Sequence, residues 1–152
     1  MASDYTKKII TGVIKTPLKQ LEDERGKVMH MLRCDDPHFR EFGEVYFSWI
    51  SPGSIKAWKL HKESIMNFAV PVGVIEMVLY DNRSHSSTYG MLNQFNMSDS
   101  DYYLLTIPSN IWYGFKSLND EAAMVVNCAT LPHSPSESST KKINDPRIPH
   151  SW

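Results

Sequence analysis

Between residues 44 and 129 the chain breaks into short apolar runs separated by turn residues, the pattern of an all-β fold. Residues 45–50, rich in aromatic and β-branched side chains, end at Ser51-Pro52-Gly53-Ser54. Residues 55–63 read as another short strand. Residues 65–70 end at Pro71-Val72-Gly73, 74–80 at Asp81-Asn82-Arg83-Ser84, and 102–107 at Pro108-Ser109-Asn110. Residues 122–128 form the last long apolar run. Regular punctuation of this kind predicts a sandwich or barrel. Helical signals are confined to residues 18–24 and 37–42. The second places Pro37 in a first turn, with Asp35 or Asp36 as its cap. From Leu131 onward the Pro, Ser and Lys content cannot support a core element, and composition alone predicts a disordered tail. The apolar Trp152 at its end instead predicts docking.

At 152 residues the size predicts one domain spanning 1–152, and 41% hydrophobic residues suffice for a buried core. A formal net charge of −1 removes any broad basic footprint for nucleic acid or acidic membranes, so phosphate binding must be local. Cys34 and Cys128 sit in no CxxC or Cys/His pattern, and predict two buried thiols in a reducing compartment. The first residues lack the apolar core of a secretory signal, and no apolar stretch is long enough to span a bilayer. A cytoplasmic protein with no membrane or nucleic-acid partner is expected.

The chemistry concentrates around residues 55–63. Two histidines at i and i+2 leave one face of a strand together and can offer a metal ion its first two ligands. Here that pair is Lys59 and His61, and one histidine with Glu63 is too few for a tight site, so no metal is expected. His61 is either a satisfied strand histidine or a general base, and a cationic neighbour would keep it neutral and basic. Lys59 is either a solvated amine or an electrostatic clamp on an enolate or phosphate. Arg25, in Asp23-Glu24-Arg25-Gly26, is a surface turn or a bidentate phosphate contact. Asp81 either closes a local ion-paired turn or holds His61 in orientation. Tyr80, Trp112 and Tyr113 read as core aromatics, with one hydroxyl free to act as an acid.

Those residues, in order, resemble the dTDP-4-dehydrorhamnose 3,5-epimerase family. The landmarks are 23–26, 56–62, 81–84, Ile107-Pro108 with Gly114-Phe115, 134–137, and Asn144-Asp145-Pro146 with Trp152. The resemblance implies a cupin, a jelly-roll β-barrel with short terminal extensions, and a homodimer that uses no metal or nicotinamide. It further implies removal of a proton beside a 4-keto group of a nucleotide-linked sugar and its return on the other face. On the family pattern Arg25 falls at a phosphate-binding arginine, and Asp81 and Asp145 at active-site aspartates. The family base falls on Lys59, a second histidine on Tyr113 and a tyrosine on Asn127. A related group of 3,4-ketoisomerases carries two histidines where this chain has Lys59 and His61.

The expected catalytic set is therefore His61 as base, Tyr113 as acid, and Asp81, Asp145 and Lys59. The expected substrate contacts are Arg25, Lys56, Asn127, His133 and Glu137. One base with one acid suits reaction at a single carbon, 3 or 5. The alternatives are a non-catalytic sugar-nucleotide binder and a 3,4-ketoisomerase.

Overall fold

Alternation along the strands decides which wall each one builds. The computed structural model describes residues 8–152, so the expectation that the first residues hold no leader lies largely outside them. The described strands are β1 (Ile14–Pro17), β2 (Gln20–Asp23), β3 (Gly26–Met29), β4 (Glu44–Ile50), β5 (Ile55–His61) and β6 (Met66–Val72). They continue with β7 (Val74–Asp81), β8 (Leu92–Ser98), β9 (Tyr103–Ile107), β10 (Ile111–Ser117), β11 (Ala123–Ala129) and β12 (Ser138–Thr140). Two five-stranded antiparallel sheets, β1-β9-β6-β11-β4 and β12-β5-β10-β7-β8, face each other, with β2-β3 as a separate hairpin. This is the all-β jelly roll of a cupin. No described helix is long and apolar enough to cross a membrane.

Ile75, Met77 and Leu79 of β7 meet Phe68, Val70, Leu105, Ile107 and Val125 from the opposite sheet in the central core. The intervening Val78 and Tyr80 pack outside that sheet on Trp58, Trp112 and Ile148. A third cluster, with Leu104, Ala69 and Tyr102, covers the outer face of the other sheet. Both faces of the inner strands are thus covered, which explains their unbroken apolar runs. Each such side chain, fully buried, contributes about 1.5–3 kcal/mol.

Two expectations need correction. Residues 18–24 are not helical: β2 and β3 pair through a turn at Glu24-Arg25, and Gly26 takes a positive φ of 138° that a side chain would strain. Residues 37–42 form no helix either. The Asp36 carboxylate accepts from the Arg33 N–H at 2.7 Å, so it closes the turn before it instead of capping one after it. Of the two thiols only Cys128 is buried, while Cys34 is exposed.

The tail docks, although its polar composition by itself predicts disorder. β12 adds to the edge of β5, pairing Ser138 with His61 and Thr140 with Lys59. Beyond it Ile148 is buried, and Trp152 lies on Trp58 with ring centroids 5.0 Å apart. The seat for Trp152 is Gly114, where a Cβ would stand 2.9 Å from Trp152 Cζ2 and 2.5 Å from Ala57 Cβ.

Candidate active site

The two sheets part at one end of the barrel around a cavity of about 390 Å3. One wall comes from β5 and β10, with Lys59 and Tyr113 as cross-strand neighbours. The other comes from β4, β6 and β11, with Tyr46, Ser48, Phe68, Val125 and Asn127. A smaller cavity of about 240 Å3 adjoins it, lined by His61, Glu137, His133 and Glu44. Tyr46 and Lys59 line both, so the two are neighbouring compartments that share part of their walls.

His61 is the buried centre of this region, 7% exposed. Its Nδ1 lies 2.7 Å from Glu137 Oε2, and its Nε2 lies 3.0 Å from the Tyr113 hydroxyl. The second Glu137 oxygen accepts from the N–H groups of Glu63 at 3.1 Å and Ser64 at 2.8 Å. Pairing of β12 with β5 delivers Glu137 here, since Ser138 is in register with His61. A carboxylate only accepts, so Nδ1 carries the imidazole proton and Nε2 accepts the Tyr113 O–H.

Protonation follows from the surroundings. Burial lowers the His61 imidazole below its ordinary value, outweighing the Glu137 hydrogen bond, and Lys59 adds in the same direction. Burial by itself would raise the Glu137 carboxyl. The hydrogen bonds from His61, Ser64 and Glu63 nevertheless hold it below its ordinary value. Burial pushes the Tyr113 phenol well above the usual range, keeping it protonated. At neutral pH the array is an ionised carboxylate, a neutral imidazole and a phenol, in hydrogen-bonded series and ending at the cavity wall.

The remaining expected residues divide. Lys56 spans toward β4, donating to Ser48 Oγ at 2.8 Å and the Trp49 carbonyl at 2.7 Å, and lines the cavity. Asn127 is buried in the facing wall, its Nδ2 donating to the Tyr46 hydroxyl at 2.7 Å while its Oδ1 has no partner among the described residues. His133 lines the smaller compartment.

Three of the expected residues lie elsewhere. Asp81 does not orient His61. Its side chain is fully buried, accepting from Arg83 Nε and Nη2 at 2.9 Å, Ser86 Oγ at 2.7 Å and Thr88 Oγ1 at 2.6 Å. That set of donors consumes its acceptors, and Glu137 holds the place beside His61 instead. Asp145 is bound by its neighbour Arg147 at 2.6 Å and lines neither compartment. Arg25 sits 83% exposed at the tip of the β2–β3 hairpin, paired with Asp23 at 2.6 Å and outside both compartments. Tyr46 is absent from the expected set. Its signal is positional: in Glu44-Val45-Tyr46-Phe47-Ser48, the alternate residues Glu44, Tyr46 and Ser48 share the inner face of β4.

The family model for dTDP-4-dehydrorhamnose 3,5-epimerase matches residues 7–152. A probable low-salt glycan biosynthesis epimerase of Haloferax volcanii is 34% identical over 110 residues, 71% of this chain and 70% of that protein. The spore coat polysaccharide biosynthesis protein SpsL of Bacillus subtilis is 29% identical over 146 residues, 95% of this chain and 97% of that one. The crystal structure of a dTDP sugar isomerase from Desulfovibrio desulfuricans superposes with a TM-score of 0.92 at 45% identity, covering 94% of this chain and 92% of the other.

Proposed function

The chain belongs to the dTDP-4-dehydrorhamnose 3,5-epimerase family, and from that premise we propose that it epimerises a nucleotide-linked 4-keto-6-deoxy sugar at one carbon beside the ketone. The observation that carries this reading is the series Glu137–His61–Tyr113, which ends in a phenol facing a cavity large enough for a sugar ring.

The chemistry needs a base, an electron sink and a cation for the developing charge. Glu137 fixes the His61 tautomer with Nε2 basic. The proton beside the ketone passes to the Tyr113 oxygen as the Tyr113 proton passes to Nε2. The electron pair of the broken C–H bond moves to the ketone oxygen, giving an enolate. Lys59 and Lys56, both lining the cavity, supply positive charge for the enolate and for the nucleotide phosphates. A general base of this kind contributes about 10²–10⁴ in rate. The substrate carries its own electron sink, so these side chains suffice to form the enolate.

The pathway we assign is surface polysaccharide or deoxysugar biosynthesis, supported by the relatives' glycan and spore-coat roles. The cytoplasm, where nucleotide sugars are made, is the proposed compartment, in keeping with two unpaired thiols. A homodimer is proposed through the outer face of β4, an edge strand that exposes Val45, Phe47 and Trp49.

The test is NMR in deuterium oxide with a panel of nucleotide 4-keto-6-deoxyhexoses. Enzyme-dependent deuterium uptake at carbon 3 or 5, with appearance of the epimer, is expected. Binding without uptake at either carbon would make the protein a sugar-nucleotide binder instead.

A further inference from the structure

Inversion at carbon requires proton removal on one face and delivery on the other. His61 and Tyr113 are hydrogen-bonded at 3.0 Å and their rings are stacked 12° from parallel, so they act as one unit from one side. Tyr113 cannot also be the acid on the opposite face. That second group must stand on the wall contributed by the other sheet.

We propose that the Tyr46 hydroxyl is that group, the acid that delivers the proton to the face opposite His61 and Tyr113. This deepens the epimerase reading and rests on it. Tyr46 projects from β4, in the sheet facing β5 and β10, and lines both compartments. Of the other residues on its wall, Glu44 lines only the smaller compartment, Ser48 carries an aliphatic hydroxyl that is a far weaker acid than a phenol, Phe68 and Val125 are apolar, and Asn127 is an amide. The Asn127 Nδ2 donates to the Tyr46 oxygen at 2.7 Å, on a cross-strand pair in register between β11 and β4. That bond occupies a lone pair and leaves the Tyr46 proton unused, and among the described residues the hydroxyl has no protein acceptor. The same bond stabilises the phenolate formed when the proton leaves. At 37% exposure the residue also touches solvent, which a turnover cycle needs.

The balance closes without a co-reactant. The C–H proton leaves through Tyr113 to His61 Nε2, giving an imidazolium and an enolate. The enolate carbon takes the Tyr46 proton on its other face, restoring the ketone and leaving a Tyr46 phenolate. The imidazolium then loses a proton to water and the phenolate gains one from water.

The experiment compares wild type, Tyr46→Phe and Lys59→Met on dTDP-4-keto-6-deoxyglucose in deuterium oxide, with exchange and inversion followed separately by NMR. Wild type should place one solvent deuterium at the inverted carbon in the first turnover. Tyr46→Phe should still exchange that hydrogen in the substrate, with retained configuration, while inversion falls by about a hundredfold or more. Melting temperatures are recorded alongside, and the wild-type label remains a test if the variant does not fold. Inversion by Tyr46→Phe at the wild-type rate would overturn the assignment and leave the epimerase reading standing. Exchange without inversion in Lys59→Met but not in Tyr46→Phe would move the role to Lys59. Loss of exchange together with inversion in a folded Tyr46→Phe would put Tyr46 on the base's side, also overturning it. Protium retained at the inverted carbon of wild type would mean a single group serves both faces. No exchange by wild type with dTDP-4-keto-6-deoxyglucose or with any other nucleotide 4-keto-6-deoxyhexose of the panel would instead remove the epimerase reading itself.

Discussion

Replacing Glu137 by glutamine tests the centre of the reasoning, because the amide cannot satisfy both of its neighbours. One carboxylate oxygen accepts from His61 Nδ1 at 2.7 Å, and the other from the N–H groups of Glu63 and Ser64 at 3.1 and 2.8 Å. If the glutamine oxygen faces His61, its NH2 meets two backbone donors. If the NH2 faces His61, Nδ1 must become the acceptor, and the proton moves to Nε2, abolishing the base. Either way at least one charge-assisted hydrogen bond is lost, about 1.5–3 kcal/mol, which corresponds to a fall in kcat of about 10- to 160-fold. KM should change little. The pH profile discriminates further. The Glu137 carboxylate raises the His61 pKa against the lowering effect of burial, so its removal lowers that pKa further. The acid limb of kcat, which reports the base losing its proton, should move to lower pH as the plateau drops. A purely structural role for Glu137 would lower the plateau without moving the limb. Wild-type kcat with an unmoved limb in folded Glu137→Gln would refute the tautomer argument.

Asp81→Asn should lower stability by about 1.5–3 kcal/mol and leave exchange kinetics unchanged, since Asp81 serves its own turn. Its carboxyl is held far below the ordinary range by Arg83, Thr88 and Ser86 against the cost of burial, so its contribution is present above about pH 4 and lost as pH falls through the folded value. Acid titration of melting temperature checks this, and an exchange rate reduced tenfold in the folded variant would return Asp81 to the site. Gly114→Ala should cost about 1–3 kcal/mol by overpacking, because its methyl would meet Ala57 and Trp152; an unchanged melting temperature would show that the tail yields freely. Trp49→Glu should convert the proposed dimer to a monomer in light scattering, and an unaltered mass would move the interface elsewhere.

The barrel is legible in the sequence because turn residues break the apolar runs at the ends of strands. β8 is not: Asn93, Gln94 and Asn96 hide it, and Asn93 is buried because it serves the backbone of Ile10 and Lys8 rather than the apolar core. The β2–β3 hairpin escapes for a related reason, since its side chains are mostly exposed and its strands follow from an Asx turn at Asp23. In the site, strand spacing suffices for Lys59 and His61, which lie on one strand. Glu137 is expected from sequence as a substrate contact, but its position behind His61 depends on a pairing across 76 residues that no local pattern encodes. Asp81 and Asp145 illustrate the converse. An aspartate two residues before an arginine binds that arginine, and both do so here.

The docked tail has a consequence for how activity is lost. Glu137 belongs to a strap held by three β12 residues, Ile148 and the Trp58–Trp152 contact, while the two large sheets stand on a separate, larger core. Lifting the strap would leave the barrel folded but strip His61 of its carboxylate. The fraction of competent molecules is then set by a local opening equilibrium, with a free energy smaller than that of global unfolding. On warming or in mild denaturant, catalysis should fail while the amides of β7 and β10 remain protected from hydrogen exchange.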